Sequence, residues 1–150
     1  MNLDGRDKPK YDLEERLLDY AASIILFTEG MLKTEAARHI AGQLLRSGTA
    51  PLGHQGEAVS AESPKDFIHK MKVGLKELRE SLRWLKLSVR VPFVKNTDTA
   101  LPVLDETEQL IRIFVASIRT AKSNSLRPPR SLTFFRHQPL QRLPQFNVQC

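Results

Sequence analysis

The sequence lacks the residues that a disulfide framework or a thiolate metal site would need. Its one cysteine, Cys150, is the last of 150 residues. A single thiol excludes an intramolecular disulfide and supplies no cysteine cluster for a structural metal. We therefore expect a chain that folds in the reducing cytoplasm around an ordinary hydrophobic core.

Long apolar runs are also absent. The most apolar stretch, residues 21–27, is far shorter than the roughly 20 residues that a membrane span requires. The acidic N-terminus does not have the pattern of a signal peptide. The sequence therefore predicts neither secretion nor a membrane partner.

Charge is distributed unevenly along the chain. Residues 1–108 contain 16 Lys and Arg against 17 Asp and Glu, whereas residues 109–150 contain 7 against none. The two parts therefore carry net charges of −1 and +7. A basic excess of this kind favours polyanions such as nucleic acid.

Four segments carry apolar residues at alternating spacings of three and four, the period of an α-helix. The first follows Asp12 as N-cap, with Glu15 completing a capping box. The second starts near Thr34, and residues 47–56, with three glycines and Pro51, predict a loop after it. The third has Ser63 as N-cap and ends before Pro92, and the fourth runs from Pro102 to near Lys122.

These segments predict an all-α, antiparallel up-and-down four-helix bundle over residues 11–122. We expect residues 1–10 to be a flexible lead-in and residues 123–150, which are rich in proline, arginine and glutamine, to be a disordered basic tail. On the third helix, small residues recur every seven positions and predict a close approach by a neighbouring helix: Gly74, Ser81 and Ser88.

Basic residues on the third helix form a regular stripe of their own. It predicts a nucleic-acid-binding surface made of Lys72, Lys76, Arg79, Arg83, Lys86 and Arg90. Glu80 offsets only part of this charge through neighbours such as Lys76 and Arg83. The alternatives are a solvated helix face and the docking site of an acidic protein. Arg127 and Arg130 of the tail could add phosphate contacts, or the tail could be an appended extension without a specific role.

Three apolar residues lie away from the main seam of the third helix: Val73, Trp84 and Leu87. They predict a contact between subunits of a homo-oligomer. The alternative is packing against another helix of the same chain.

The residues of catalytic and metal sites do not cluster in the sequence. The four histidines are scattered, and Asp66 with His69 gives only one carboxylate-x-x-His unit, whereas a di-iron bundle needs two. No nucleophile has a base partner at a recognisable spacing, and no phosphate-binding loop is present. We therefore expect no catalytic activity, no metal and no cofactor.

Several segments resemble a bacterial four-helix-bundle family known from intervening sequences in large-subunit ribosomal RNA genes. They are HIAGQLLRSGT at 39–49, GEA at 56–58, AESPKDFIHK at 61–70, LKELRESLRWLK at 75–86 and FVASIRTAK at 114–122. The resemblance covers about residues 11–124 and implies that residues 47–56 continue the second helix with a kink. It also implies a ring-forming oligomer, since the related accessory variability determinant of diversity-generating retroelements is a pentamer that binds nucleic acid and a reverse transcriptase.

Together these observations predict a non-enzymatic, oligomeric accessory protein that binds RNA or DNA through basic surfaces. The alternative is a structural scaffold that docks a protein, such as a polymerase, without contacting nucleic acid.

Overall fold

The computed structural model describes residues 12–126, which form four α-helices and one short 3₁₀ turn. The helices are α1 (Leu13–Glu29), α2 (Glu35–Val59), α3 (Pro64–Arg90) and α4 (Ala100–Ser125), with the 3₁₀ turn at Thr97–Thr99. No strand occurs in this range, so the predicted all-α fold is confirmed. The lead-in at residues 1–10 and the tail from Arg127 onward, including Arg130, lie outside the described residues.

The helices follow one another around an up-and-down bundle. Each packs most closely against its neighbours in the chain, and α1 also contacts α4. The α1–α2 and α3–α4 connections meet at the same end, where Leu32 N–H donates to the Phe93 carbonyl at 2.7 Å. Short connections of this kind make consecutive helices antiparallel. No helix within residues 12–126 is long and apolar enough to cross a membrane.

Side-chain caps define three of the helix starts. Asp12 accepts hydrogen bonds from the backbone N–H groups of Glu14 and Glu15, and Thr34 accepts one from Ala37. Ser63 accepts the N–H of Asp66 at 3.1 Å, with Pro64 as the first residue of α3. Each cap satisfies an N–H that has no partner inside the helix. These three predicted starts are confirmed.

The predicted loop at residues 47–56 is wrong, because α2 is continuous to Val59 with Pro51 inside it. Packing outweighs the low helix propensity of this segment: Gly48 and Pro51 are buried. A Cβ on Gly48 would lie only 2.7 Å from Ile24 Cγ2, so glycine permits α1 to approach closely here. The family resemblance implied that α2 continues through this segment with a kink, and the continuation of the helix is observed.

The fourth helix is longer than predicted at both ends. It begins at Ala100, two residues before Pro102, and continues three residues past Lys122 to Ser125, whose hydroxyl donates to the Ala121 carbonyl at 2.8 Å. Residues 123–125 therefore belong to the bundle and not to the tail.

The small residues of α3 lie at the centre of its buried face. Gly74, Ser81 and Ser88 are buried, whereas Leu82 and Val89, two of the apolar residues of α3 that recur at spacings of three and four, are only half-buried. A Cβ on Gly74 would lie 2.7 Å from Phe114 Cε1 of α4. The predicted close approach of a neighbouring helix is confirmed at Gly74.

Buried hydroxyl groups connect all four helices through the core. The Ser81 hydroxyl of α3 donates to Ser47 of α2 at 3.0 Å, and Tyr20 of α1 shares a 2.9 Å hydrogen bond with Thr107 of α4. Burial raises the pKa of Tyr20 to about 12, although the hydroxyls of Thr107 and Ser81 oppose part of that rise. Buried polar groups that are satisfied in this way favour one helix arrangement over others.

Candidate nucleic-acid interface

A groove of about 780 Å³ runs along the outer surface between α3 and α4. Its walls carry six cationic side chains, four from α3 and two from α4: Lys72, Lys76, Arg79, Arg83, Arg119 and Lys122. Its floor is apolar and consists of Leu75, Val115 and Ile118. We call this surface the basic groove.

Helix geometry places these cations on facing walls. The four α3 cations are spaced by four, three and four residues, so they share one helix face beside the core seam. Arg119 and Lys122 are three residues apart on α4 and line the same groove. Sequence reasoning missed both, although their spacing and the absence of acidic residues after Glu108 were available signals.

Within residues 12–126, none of the six cations of the basic groove forms an ion pair or a side-chain hydrogen bond. In the part of the chain that the structure describes, no acidic residue lines the groove. Six like charges along two packed helices raise the local positive potential, which attracts a polyanion and weakens with added salt.

The carboxylate that the sequence placed nearest to this charge interacts elsewhere. Glu80 accepts a hydrogen bond from Arg46 of α2 at 2.5 Å and one from Trp84 Nε1 at 3.3 Å. Arg46 also lies 3.6 Å from Glu77 Oε2. Glu80 therefore does not pair with Lys76 or Arg83, and more of the α3 charge is uncompensated than the sequence indicated.

A second ion pair lies on the same α2–α3 side. Lys70 Nζ is 3.0 Å from Glu57 Oε2. The hydrogen bond and opposite charge lower the pKa of Glu57 and raise the pKa of Lys70. On this side, therefore, Lys70 of α3 and Arg46 of α2 both have carboxylate partners across the α2–α3 contact.

The structure divides the predicted six-residue stripe of α3 into two parts. Lys72, Lys76, Arg79 and Arg83 face the cations of α4, whereas Lys86 lies 3.8 Å from Glu108. Lys86 and Arg90 line a separate, smaller depression together with Leu104. The prediction placed all six residues in one site, but only the first four line the basic groove.

The three residues predicted to form a subunit contact are all half-buried. Trp84 and Leu87 pack against the core of their own chain, and Leu87 lines a cavity at the start of α2 with His39 and Phe93. Intrachain packing therefore accounts for Trp84 and Leu87. The contribution of Val73, Trp84 and Leu87 to an oligomer stays a prediction.

Large apolar side chains are exposed mainly on α1 and α2. This group comprises Leu18, Ile25, Leu26, Leu45 and Val59.

Within residues 12–126, no three His, Cys, Asp or Glu side chains are grouped so that they could hold a metal ion.

Comparison with known proteins identifies the fold. No protein-family model matches the sequence, and no curated protein matches it. Among solved structures, a protein of unknown function from the S23 ribosomal protein family of Bacteroides thetaiotaomicron VPI-5482 superposes with a TM-score of 0.66. It is 24% identical, and the match covers 71% of this chain and 97% of that one. This likeness supports the four-helix fold.

Proposed function

We propose that this chain is a non-enzymatic accessory protein that binds nucleic acid through the basic groove. The observation that carries the proposal is the set of six cations from two helices with no carboxylate partner within residues 12–126. Lys72 and Arg83 are 11 positions apart, which corresponds to roughly 17 Å of helix. That length suffices for several phosphates of one strand.

RNA is the first ligand to test. The sequence resembles proteins encoded in intervening sequences of ribosomal RNA genes, and the similar solved structure belongs to a family named as ribosomal. Both likenesses support membership of the intervening-sequence family. The homo-oligomer and the pentameric ring implied by that resemblance belong to the same proposal.

The second candidate function is a scaffold that docks a protein, such as a polymerase, without touching nucleic acid. The exposed apolar residues of α1 and α2 favour it, because exposed apolar surface often marks protein contacts. Self-association could cover the same side chains. This candidate leads if the full chain binds no nucleic acid.

The test is a salt titration of binding to labelled single-stranded RNA and duplex DNA with the full chain. We expect the logarithm of the association constant to fall linearly with the logarithm of the salt concentration. The slope should be about −0.7 to −0.9 for each phosphate that the protein contacts. The triple charge reversal Lys76→Glu, Arg79→Glu and Arg119→Glu replaces two cations of the α3 wall and one cation of the α4 wall with carboxylates. At low salt it should weaken binding by on the order of 1000-fold.

A matched triple reversal controls for net charge: Lys33→Glu, Arg38→Glu and Lys95→Glu. These three cations do not line the basic groove, and the change in charge is the same. We expect it to reduce binding far less than the groove variant. Equal losses for both triples would show that net charge alone attracts the ligand, and an absence of binding by the parent chain in dilute salt would refute the proposed function.

A further inference from the structure

We infer that the basic groove selects single-stranded over duplex nucleic acid, with phosphates on its cationic walls and bases against its apolar floor. The inference rests on the proposed function and specifies its ligand. It depends on two features that a simple basic patch does not have, namely an apolar floor and cations on both walls.

The floor of the basic groove is apolar, and a phosphate backbone gains nothing from contact with apolar side chains. Leu75 and Ile118 form its base and are 8% and 7% exposed, and the half-buried Val115 lies between the walls. The methylene stems of the wall lysines and arginines extend this surface upward, since such side chains keep only their charged ends in water. The faces of unstacked bases are the parts of a nucleic acid that gain from contact with such a surface.

The shape of the groove excludes a duplex from its floor. Packed helices have axes about 8 to 10 Å apart, so the groove between them is narrow and concave. A duplex is a convex cylinder with paired, inward-facing bases and a major groove about 12 Å wide that receives protruding elements. A duplex could therefore reach the charged ends of the wall residues but could not place bases on Val115.

Cations on both walls suit one strand lying along the groove. Four come from α3, whereas Arg119 and Lys122 face them from α4. The roughly 17 Å of wall corresponds to about five phosphates at the 3.4 Å spacing of a stacked strand, and to fewer if the strand is extended. This length falls within the range of about 4 to 16 nucleotides that single-strand-binding folds occupy.

The experiment compares three probes of equal phosphate number by fluorescence anisotropy with the full chain. They are a mixed-sequence single-stranded RNA of about 12 nucleotides, an abasic strand with the same backbone, and a short duplex. At roughly 150 mM salt, where simple charge attraction is weakened, we expect the RNA strand to bind on the order of tenfold tighter than the other two probes.

An aromatic substitution on the floor gives a gain of function that a folding defect cannot imitate. Val115→Tyr adds a ring on which a base can stack, so it should tighten binding of the RNA strand by about tenfold and leave the abasic strand unchanged. Ile113→Tyr is the matched control, because Ile113 is also half-buried on α4 but does not line the groove. We expect Ile113→Tyr to leave the ratio of the affinities for the RNA strand and the abasic strand as it is in the parent chain.

The outcomes separate this inference from the proposed function. Equal, salt-dependent binding of all three probes would overturn the single-strand inference and retain a general polyanion site. Displacement of the RNA strand by polyglutamate at a matched charge concentration would overturn it in favour of an acidic protein ligand. Failure of every probe to bind in dilute salt would overturn the inference and the proposed function together.

Discussion

The two sides of α3 use similar residues to different effect. On the α2 side, Lys70 of α3 forms an ion pair with Glu57 of α2. Arg46 of α2 forms ion pairs with Glu77 and Glu80 of α3. On the α4 side, within residues 12–126, the cations of the basic groove have no carboxylate partner. Both sides belong to one amphipathic helix, so the side chains that a neighbouring helix supplies at each point decide whether a charge is neutralised, as Glu108 of α4 does beside Lys86, or displayed.

This difference indicates where stability and binding reside. Paired charges on the α2 side join helices, and an exposed pair of this kind adds little stability because water and salt screen it. Unpaired like charges on the α4 side repel one another and add no such contact. The α4 side therefore gives up some stability and keeps its charge available for a ligand.

The largest expected effect comes from breaking the close packing that both sides share. Gly74 lies against Phe114 of α4 and His54 of α2, and its missing Cβ would be 2.7 Å from Phe114 Cε1. Gly74→Val should lower the free energy of unfolding by about 3 kcal/mol, measured by urea denaturation. Gly53→Ala is the control, since nothing lies within 4 Å of its added Cβ, and it should stabilise by up to about 1 kcal/mol. A Gly74→Val variant with the same free energy of unfolding as the parent chain would contradict this packing.

The buried hydroxyl network predicts a loss of stability in alkali. Because the pKa of Tyr20 is about 12 in the folded chain and an ordinary tyrosine has a pKa of about 10, the unfolded chain loses this proton first. The stabilising contribution is complete below pH 10 and falls by about 2 to 3 kcal/mol as pH rises to 12. Tyr20→Phe should flatten this part of the pH–stability curve while costing about 1 kcal/mol at neutral pH. Parallel curves for the two proteins would argue against the shifted pKa.

Neutralising one arginine on each side tests the comparison directly. Arg46→Gln removes the partner of Glu77 and Glu80 and should lower the free energy of unfolding by about 0.5 to 1 kcal/mol. Arg79→Gln removes only repulsion and should leave that free energy unchanged or slightly higher. Thermal unfolding at low salt measures both. A larger loss from Arg79→Gln would mean that the groove cation has a structural partner.

The smallest expected effect sharpens the boundary of the groove. Glu108 lies 3.8 Å from Lys86, just beyond the basic groove. Glu108→Gln removes the ion-pair partner of Lys86, so its charge becomes available to a phosphate. The variant should tighten RNA binding about two- to threefold at low salt, measured by anisotropy. Glu62→Gln, at an exposed position before α3, is a control with the same change in charge and should alter binding less. Weaker binding by Glu108→Gln would show that this carboxylate contacts the ligand or positions it.

Local signals predicted most of the fold. Asp12, Thr34 and Ser63 cap the helices that they were predicted to cap, and the three-four spacing of apolar residues identified four helices. Helix propensity alone failed at residues 47–56, where the family resemblance implied a helix, because propensity describes an isolated segment. In the folded chain, burial of Gly48 and Pro51 between neighbouring helices outweighs that propensity.

The candidate site was predicted in part. Periodicity identified the α3 wall of the basic groove but could not assign Arg119 and Lys122 to the opposite wall, since they are far away in the chain. Lys86 and Arg90 of the same predicted stripe line a separate depression, and their part in nucleic-acid binding stays a prediction. The partner of Glu80 lies 34 residues away on another helix, beyond the reach of helical spacing.

The sequence by itself determined the helices, their caps and the amphipathic character of α3, because these depend on residues within a few positions of one another. Only the tertiary structure decided which charges are neutralised and which are displayed, because Coulomb interactions depend on distance in space. Packing α2 against one side of α3 brought Arg46 to Glu77 and Glu80. Packing α4 against the other brought Arg119 and Lys122 to the basic groove.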